Sequence, residues 1–88
     1  MPKRLPARTG KNIAGLRIRE ARELCTPPIT QDQLSGRLAA LGVTVDRTAL
    51  AKIEKGSRGI YDYELVALAL ALKVDLLWLL GITAKRSP

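Results

Sequence analysis

Helix start and stop signals alternate so closely between Thr30 and Gly81 that no element there has room for more than about three turns. The sharpest signal is Thr30-Gln31-Asp32-Gln33, a capping box in which the Thr30 and Gln33 side chains satisfy each other's backbone N–H groups. Ile29 and Leu34 are placed around it as a hydrophobic staple. Leu34, Leu38 and Leu41 then line one face, and Gly42 ends this second helix. Val43-Thr44-Val45 leads to Asp46, the N-cap of a third helix closed by Gly56. Its Ala49, Leu50 and Ile53 point one way. Thr48, Ala51, Lys52 and Lys55 occupy another face, with Arg47 beside them in the first turn. After Ser57, Arg58 and Gly59, a fourth helix starts at Asp62, with Glu64 favourably placed in its first turn, and runs to about Lys73. It offers Leu65, Leu68, Ala69 and Leu72 for burial. Asp75 caps a last helix, Leu76 to Leu80, stopped by Gly81.

Ahead of the capping box, a first helix spans about Asn12 to Leu24. Ala14, Ile18, Ala21 and Cys25 follow helical spacing, in competition with a stripe through Ile13 and Leu16, and Pro27-Pro28 ends it. Residues 1–11 show no periodicity and read as a flexible basic arm, residues 12–82 as one domain, and residues 83–88 as a basic tail. Leu and Ala dominate the apolar residues and Phe is absent. With no strand signal and no repeat, the expectation is an all-α fold of five helices.

A domain of 88 residues needs well-packed helices, staples or a partner. Staples are excluded, because Cys25 is the only cysteine and reads as a small buried apolar residue. The absence of His removes the ordinary zinc-ligand sets and the Ser-His and Cys-His nucleophile pairs. No catalytic residue, metal or cofactor is assigned, and an enzyme is not expected. The apolar stretch from Leu65 to Ile82 carries Lys73 and Asp75 near its middle, which argues against a membrane span. The first dozen residues lack the apolar run of a secretory signal, so the cytoplasm is the expected location.

Charge divides the chain. Residues 1–30 hold seven basic and two acidic groups, residues 31–60 five and three, and residues 61–88 three of each. The whole carries +7. Such a gradient suits a front that faces a polyanion and a back that packs or self-associates.

Helices 2 and 3, joined by a tight Gly-containing turn, read as a helix-turn-helix. A helix fits the DNA major groove and presents its first turns to base edges. Arg47 can offer a bidentate fork to guanine, Thr48 a hydroxyl or methyl, and Lys52 a donor one turn on. The start of helix 2, with Gln31, offers free N–H groups to a phosphate. The plainer reading of the same face is solvated charge.

Three blocks carry a family resemblance over roughly Ile18 to Gly81: Ile29-Thr30-Gln31 with Leu34, the run from Asp46 through Gly56, and Leu65, Leu68, Ala69, Ala71, Leu72 and Val74 followed by Asp75. They resemble the lambda-repressor-like helix-turn-helix regulators, also called the xenobiotic-response-element family. That resemblance implies base contacts by Arg47, Thr48, Ala51 and Lys52. It implies phosphate contacts by Thr30, Gln31, Lys55, Ser57 and Arg58, and a salt bridge from Arg22 to Glu54. Two departures stand out. Pro27-Pro28 lengthens the first connection, and the span from Leu38 to Asp46 is longer than the family pattern, which leaves the angle between helices 2 and 3 open.

The leading expectation is a bacterial or phage transcriptional regulator, a repressor that occupies double-stranded DNA as a dimer. The alternative is an antitoxin-like protein that holds a partner protein through its apolar C-terminal helix while regulating its own promoter. RNA association is a third reading, disfavoured because Tyr61 and Tyr63 give little stacking surface. Lys3, Arg4, Arg8 and Lys11 are candidates for further phosphate or minor-groove contacts. Five consecutive apolar residues, Leu76 to Leu80, surround their helix and cannot all face one small core. The expected homodimer interface is therefore Leu76, Leu77, Trp78, Leu80 and Ile82, against the rival reading that Trp78 completes a Phe-free core.

Overall fold

The structure, a computed structural model, describes residues 10–88. It is all-α, with α1 (Gly15–Leu24), α2 (Gln31–Ala40), α3 (Arg47–Lys55), α4 (Asp62–Leu72) and α5 (Leu76–Leu79). α1 packs on α3, α4 and α5, and α2 packs on α3 and α4. Ile18, Leu34, Leu38, Leu50, Ile53, Leu68 and Leu79 are wholly buried where these helices meet.

α1 begins at Gly15 rather than Asn12 because Asn12 works from outside the helix. Its Oδ1 accepts the N–H groups of Ala14 (3.0 Å) and Gly15 (2.7 Å). Its Nδ2 donates to the carbonyls of Ile53 (3.0 Å) and Arg58 (2.8 Å). Of the two competing stripes, Ala14, Ile18 and Ala21 are buried, and Leu16 faces outward. Cys25 is half-buried, and its Sγ donates to the Ala21 carbonyl at 3.3 Å. At Gly15 a Cβ would collide with the Ile53 carbonyl, so this glycine lets the α1 and α3 backbones touch.

The capping box of α2 closes in both directions, with Gln33 N–H on Thr30 Oγ1 at 3.1 Å and Thr30 N–H on Gln33 Oε1 at 2.7 Å. Ile29 and Leu34 are buried on either side of it. Leu41, expected on the buried face, is instead 48% exposed. The helix has already ended at Ala40, and Val43 and Gly42 donate back to the carbonyls of Leu38 and Ala39, which turns the chain. Val45 fills the vacated place in the core, and Ser35 Oγ holds its carbonyl at 2.7 Å.

α3 is capped by Asp46 Oδ1, which accepts Ala49 N–H at 2.8 Å. It stops at Gly56, whose φ of 80° an L side chain adopts only with strain. α4 ends at Lys73, held in the left-handed region at φ 57°. Its Leu65 is only half-buried, while Ala67 and Ala71 join Leu68, Ala69 and Leu72 in the core.

The largest correction concerns α5. Trp78, expected in an exposed patch, is 7% exposed and packs into the core, with the Arg17 guanidinium 5.8 Å from its ring centroid. A core without Phe draws its bulk from this one indole. Leu76, Leu80 and Ile82 are half-buried, and only Leu77 of the expected interface stands well out. Two boundaries also differ. Lys11 N–H donates to the Gly56 carbonyl at 2.8 Å, so the domain begins before residue 12. Asp75 N–H donates to the Arg86 carbonyl at 2.7 Å, which folds the tail back. Lys3, Arg4 and Arg8 lie outside the described residues. Among those described, no helix is long and apolar enough to cross a membrane.

Candidate nucleic-acid interface

The Asp46 cap and the Gly56 stop fix the rotation of α3. Leu50, Ile53 and Glu54 point inward, leaving Arg47, Thr48, Lys52 and Lys55 exposed and Ala51 half-buried. The outer face is therefore a polar ridge with a small residue at its centre.

A cleft runs along each side of this ridge. The first, about 500 Å³, lies between α1, the start of α2 and α3. Arg19, Arg47 and Lys55 bring positive charge to it, Thr30 and Gln31 bring polar groups, and Asp32 brings one opposing carboxylate. The second, about 470 Å³, lies between the start of α3 and the loop that follows it. Lys11, Lys52 and Arg58 line it with Thr48, Ser57 and Asp46. The residues expected to contact DNA thus fall into two groups, one on each flank of α3.

The floor of the first cleft is an ion pair. Arg22 Nε and Nη2 donate to the two Glu54 oxygens at 3.0 Å each, and Arg22 Nη1 donates to the Ile29 carbonyl at 3.0 Å. Gln31 Nε2 donates to Glu54 Oε1 at 3.1 Å. These bonds tie α1, α3 and the entry to α2 to one buried carboxylate. The hydrogen bond to Glu54 raises the Arg22 pKa above its ordinary value, against the effect of burial.

A second fork braces the other flank. Arg58 Nη1 and Nη2 meet the Glu64 oxygens at 3.0 Å each, and Tyr61 N–H adds a bond to Glu64 Oε1 at 2.9 Å. The Arg58 hydrogen bonds hold the Glu64 carboxyl below its ordinary value, against burial, and the Tyr61 N–H acts in the same sense. Arg58, expected on a phosphate, is thus committed to a carboxylate. Ser57 Oγ donates to the Lys52 carbonyl at 3.2 Å, and Thr30 Oγ1 is occupied by its cap. Lys55 keeps an exposed charge with no ion pair among the described residues.

Sequence reasoning passed over Arg19 and Asn12. Arg19 stands one turn before Arg22, which places both on one face of α1, and it pairs with Glu23 at 3.5 Å on the exposed side. Nothing in the sequence marks Asn12 as the residue that joins the start of α1 to the end of α3. No cluster of three or more His, Cys, Asp or Glu side chains able to hold a metal occurs among the described residues. Compared with family models, with curated proteins and with solved structures, the chain finds no match in any of the three.

Proposed function

We propose that this chain binds double-stranded DNA sequence-specifically, with α2, the turn and α3 acting as a helix-turn-helix, and represses transcription by occupying its site as a dimer. The observation that carries this reading is the exposed polar ridge of α3 with a basic cleft on each flank. A helix with its side chains is about 10–12 Å across and the major groove about 12 Å wide, so a seated α3 has a phosphate strand on either side. In that pose Arg47, Thr48 and Lys52 meet base edges, and Ala51 lets the helix axis approach closely. Lys55, Arg19 and the start of α2 face one strand. Lys11 and Ser57 face the other.

Selection from a pool of random duplexes tests the reading directly, and it predicts a defined motif. On that motif Arg47→Ala should cost about 1–3 kcal/mol and relax the preference at one position. Equal losses on the selected and a scrambled duplex would show that Arg47 reads no base, and a pool that yields no motif would remove sequence specificity altogether.

A further inference from the structure

The exposed side of α4 is as ordered in its chemistry as the side that faces the core. Asp62, Val66 and Leu70 follow one another at intervals of four on one stripe of α4, and Lys73, the residue that ends the helix, comes three positions after Leu70. Val66 and Leu70 are 48% and 62% exposed, and Tyr63 stands exposed beside them. An open apolar groove continues from Leu70 past Val74 and Leu76 to Pro88. α4 packs on α1, α2 and α5, and no other helix among the described residues covers this face, where Val66 and Leu70 stay exposed beside Pro88 of the tail. Neither Asp62 nor Lys73 has an ion-pair partner there.

We infer that this face is an interface between two copies of the chain, with α4 packed antiparallel on α4 of the second copy. The argument is the symmetry of the stripe. A two-fold contact brings each position opposite the one equally far beyond the axis, and it works only where the surface complements its own reversal. The midpoint between Val66 and Leu70 and the midpoint between Asp62 and Lys73 coincide within half a residue, about 0.75 Å along a helix. One axis therefore sets Val66 against the partner's Leu70 and, at both ends, Asp62 against the partner's Lys73. The acid at the start and the base at the end each also complement the dipole of their own helix. A parallel arrangement, or an unrelated apolar ligand, would leave both charges without a counterpart.

The inference rests on the dimer part of the proposed function and is independent of the DNA part. One helix face and a groove make an interface smaller than the standard ~800 Å² per partner, so the dissociation constant is expected at about 1–100 μM. Sedimentation equilibrium without DNA reads it. Leu70→Asp should weaken the dimer by at least about tenfold, and each charge reversal made singly should weaken it as well. Asp62→Lys and Lys73→Asp each set like charges together, and the double variant Asp62→Lys/Lys73→Asp should recover most of the wild-type affinity. Circular dichroism and urea unfolding check that each variant is folded, as its exposed position requires. A wild type monomeric at several hundred micromolar overturns the inference. So does a double variant no better than its parents, or a dimer dissolved by Leu77→Asp and untouched by Leu70→Asp. Binding of folded Leu70→Asp to a single half-site, measured separately, tells failure of the interface from failure of DNA binding.

Discussion

Arg22 and Arg58 each meet a buried carboxylate through two parallel hydrogen bonds, and both are thereby fixed as struts rather than free cations. Glu54 and Glu64 are the only charged residues buried among those described, and each owes its place to its arginine. Removing one partner strands the other. Arg22→Ala should lower unfolding free energy by about 3 kcal/mol, because Glu54 would keep only its bond from Gln31. Arg22→Met with Glu54→Met should lose clearly less, since neither charge then remains to be desolvated. Urea unfolding of the single and double variants checks this, and equal losses would mean that the pair stabilises by packing alone. Glu64 supplies a pH-dependent counterpart. Its pKa is lower folded than unfolded, so its contribution is complete above the unfolded value of about 4.3 and disappears as the pH falls through the folded one. The stability gap between wild type and Glu64→Gln should be widest near neutrality and narrow below about pH 4.3. A gap that stays constant down to pH 3 would show that the Arg58 bond adds nothing to stability.

At the scale of the helices, α1 and α3 cross closely, because the backbone at Gly15 lies against the carbonyls of Ile53 and Glu54. Gly15→Ala has to push α1 away from Ile53, and it should destabilise by about 1–3 kcal/mol although alanine is the better helix former. A variant as stable as wild type would show that α1 can shift freely. α2, α3 and α5 were legible in the sequence because each starts on a side chain that accepts a bond locally, at Thr30, Asp46 and Asp75, and is followed by a glycine of positive φ. The start of α1 was not legible, since Asn12 acts there through carbonyls more than 40 residues away. Leu41 lost its expected place in the core to Val45, a residue of the connection, for a similar reason. Periodicity extends a stripe past a helix end, and only the turn at Gly42 decides which of the two side chains comes inside. Trp78 shows the limit of counting apolar residues around a short helix. Which of five consecutive positions faces the core depends on where α1 and α4 leave a gap. The polar face of α3 was readable because its cap and stop enclose nine residues and fix its rotation. That Arg58 is spent on Glu64 was not readable, as a loop arginine and a first-turn glutamate each had a separate and sufficient role in the sequence.

At the scale of the whole molecule, the apolar face of α4 and the cationic surface around α3 lie on different elements. Val66 and Leu70 lie on α4, while Lys11, Arg19, Arg47, Lys52 and Lys55 surround α3. The count of 15 Lys and Arg therefore overstates the free cations a polyanion meets, because Arg22 and Arg58 are already paired with carboxylates. Salt dependence can separate the two kinds of cation. A lysine that displaces a counterion from a phosphate contributes about 0.9 to the slope of log K against log salt, whatever the sequence of the duplex. Lys55→Ala should reduce that slope by about one on selected and scrambled DNA alike. Arg58→Ala should behave otherwise. With its charge bound to Glu64, its loss uncovers a carboxylate beside the second cleft, so affinity should fall together with stability. Replacing Glu64 by Gln as well should restore the affinity while leaving Arg58 absent. Titrations at several salt concentrations distinguish the outcomes: a slope reduced by one in Arg58→Ala, with no rescue by Glu64→Gln, would place Arg58 on a phosphate and make its contact with Glu64 a feature of the unbound protein only.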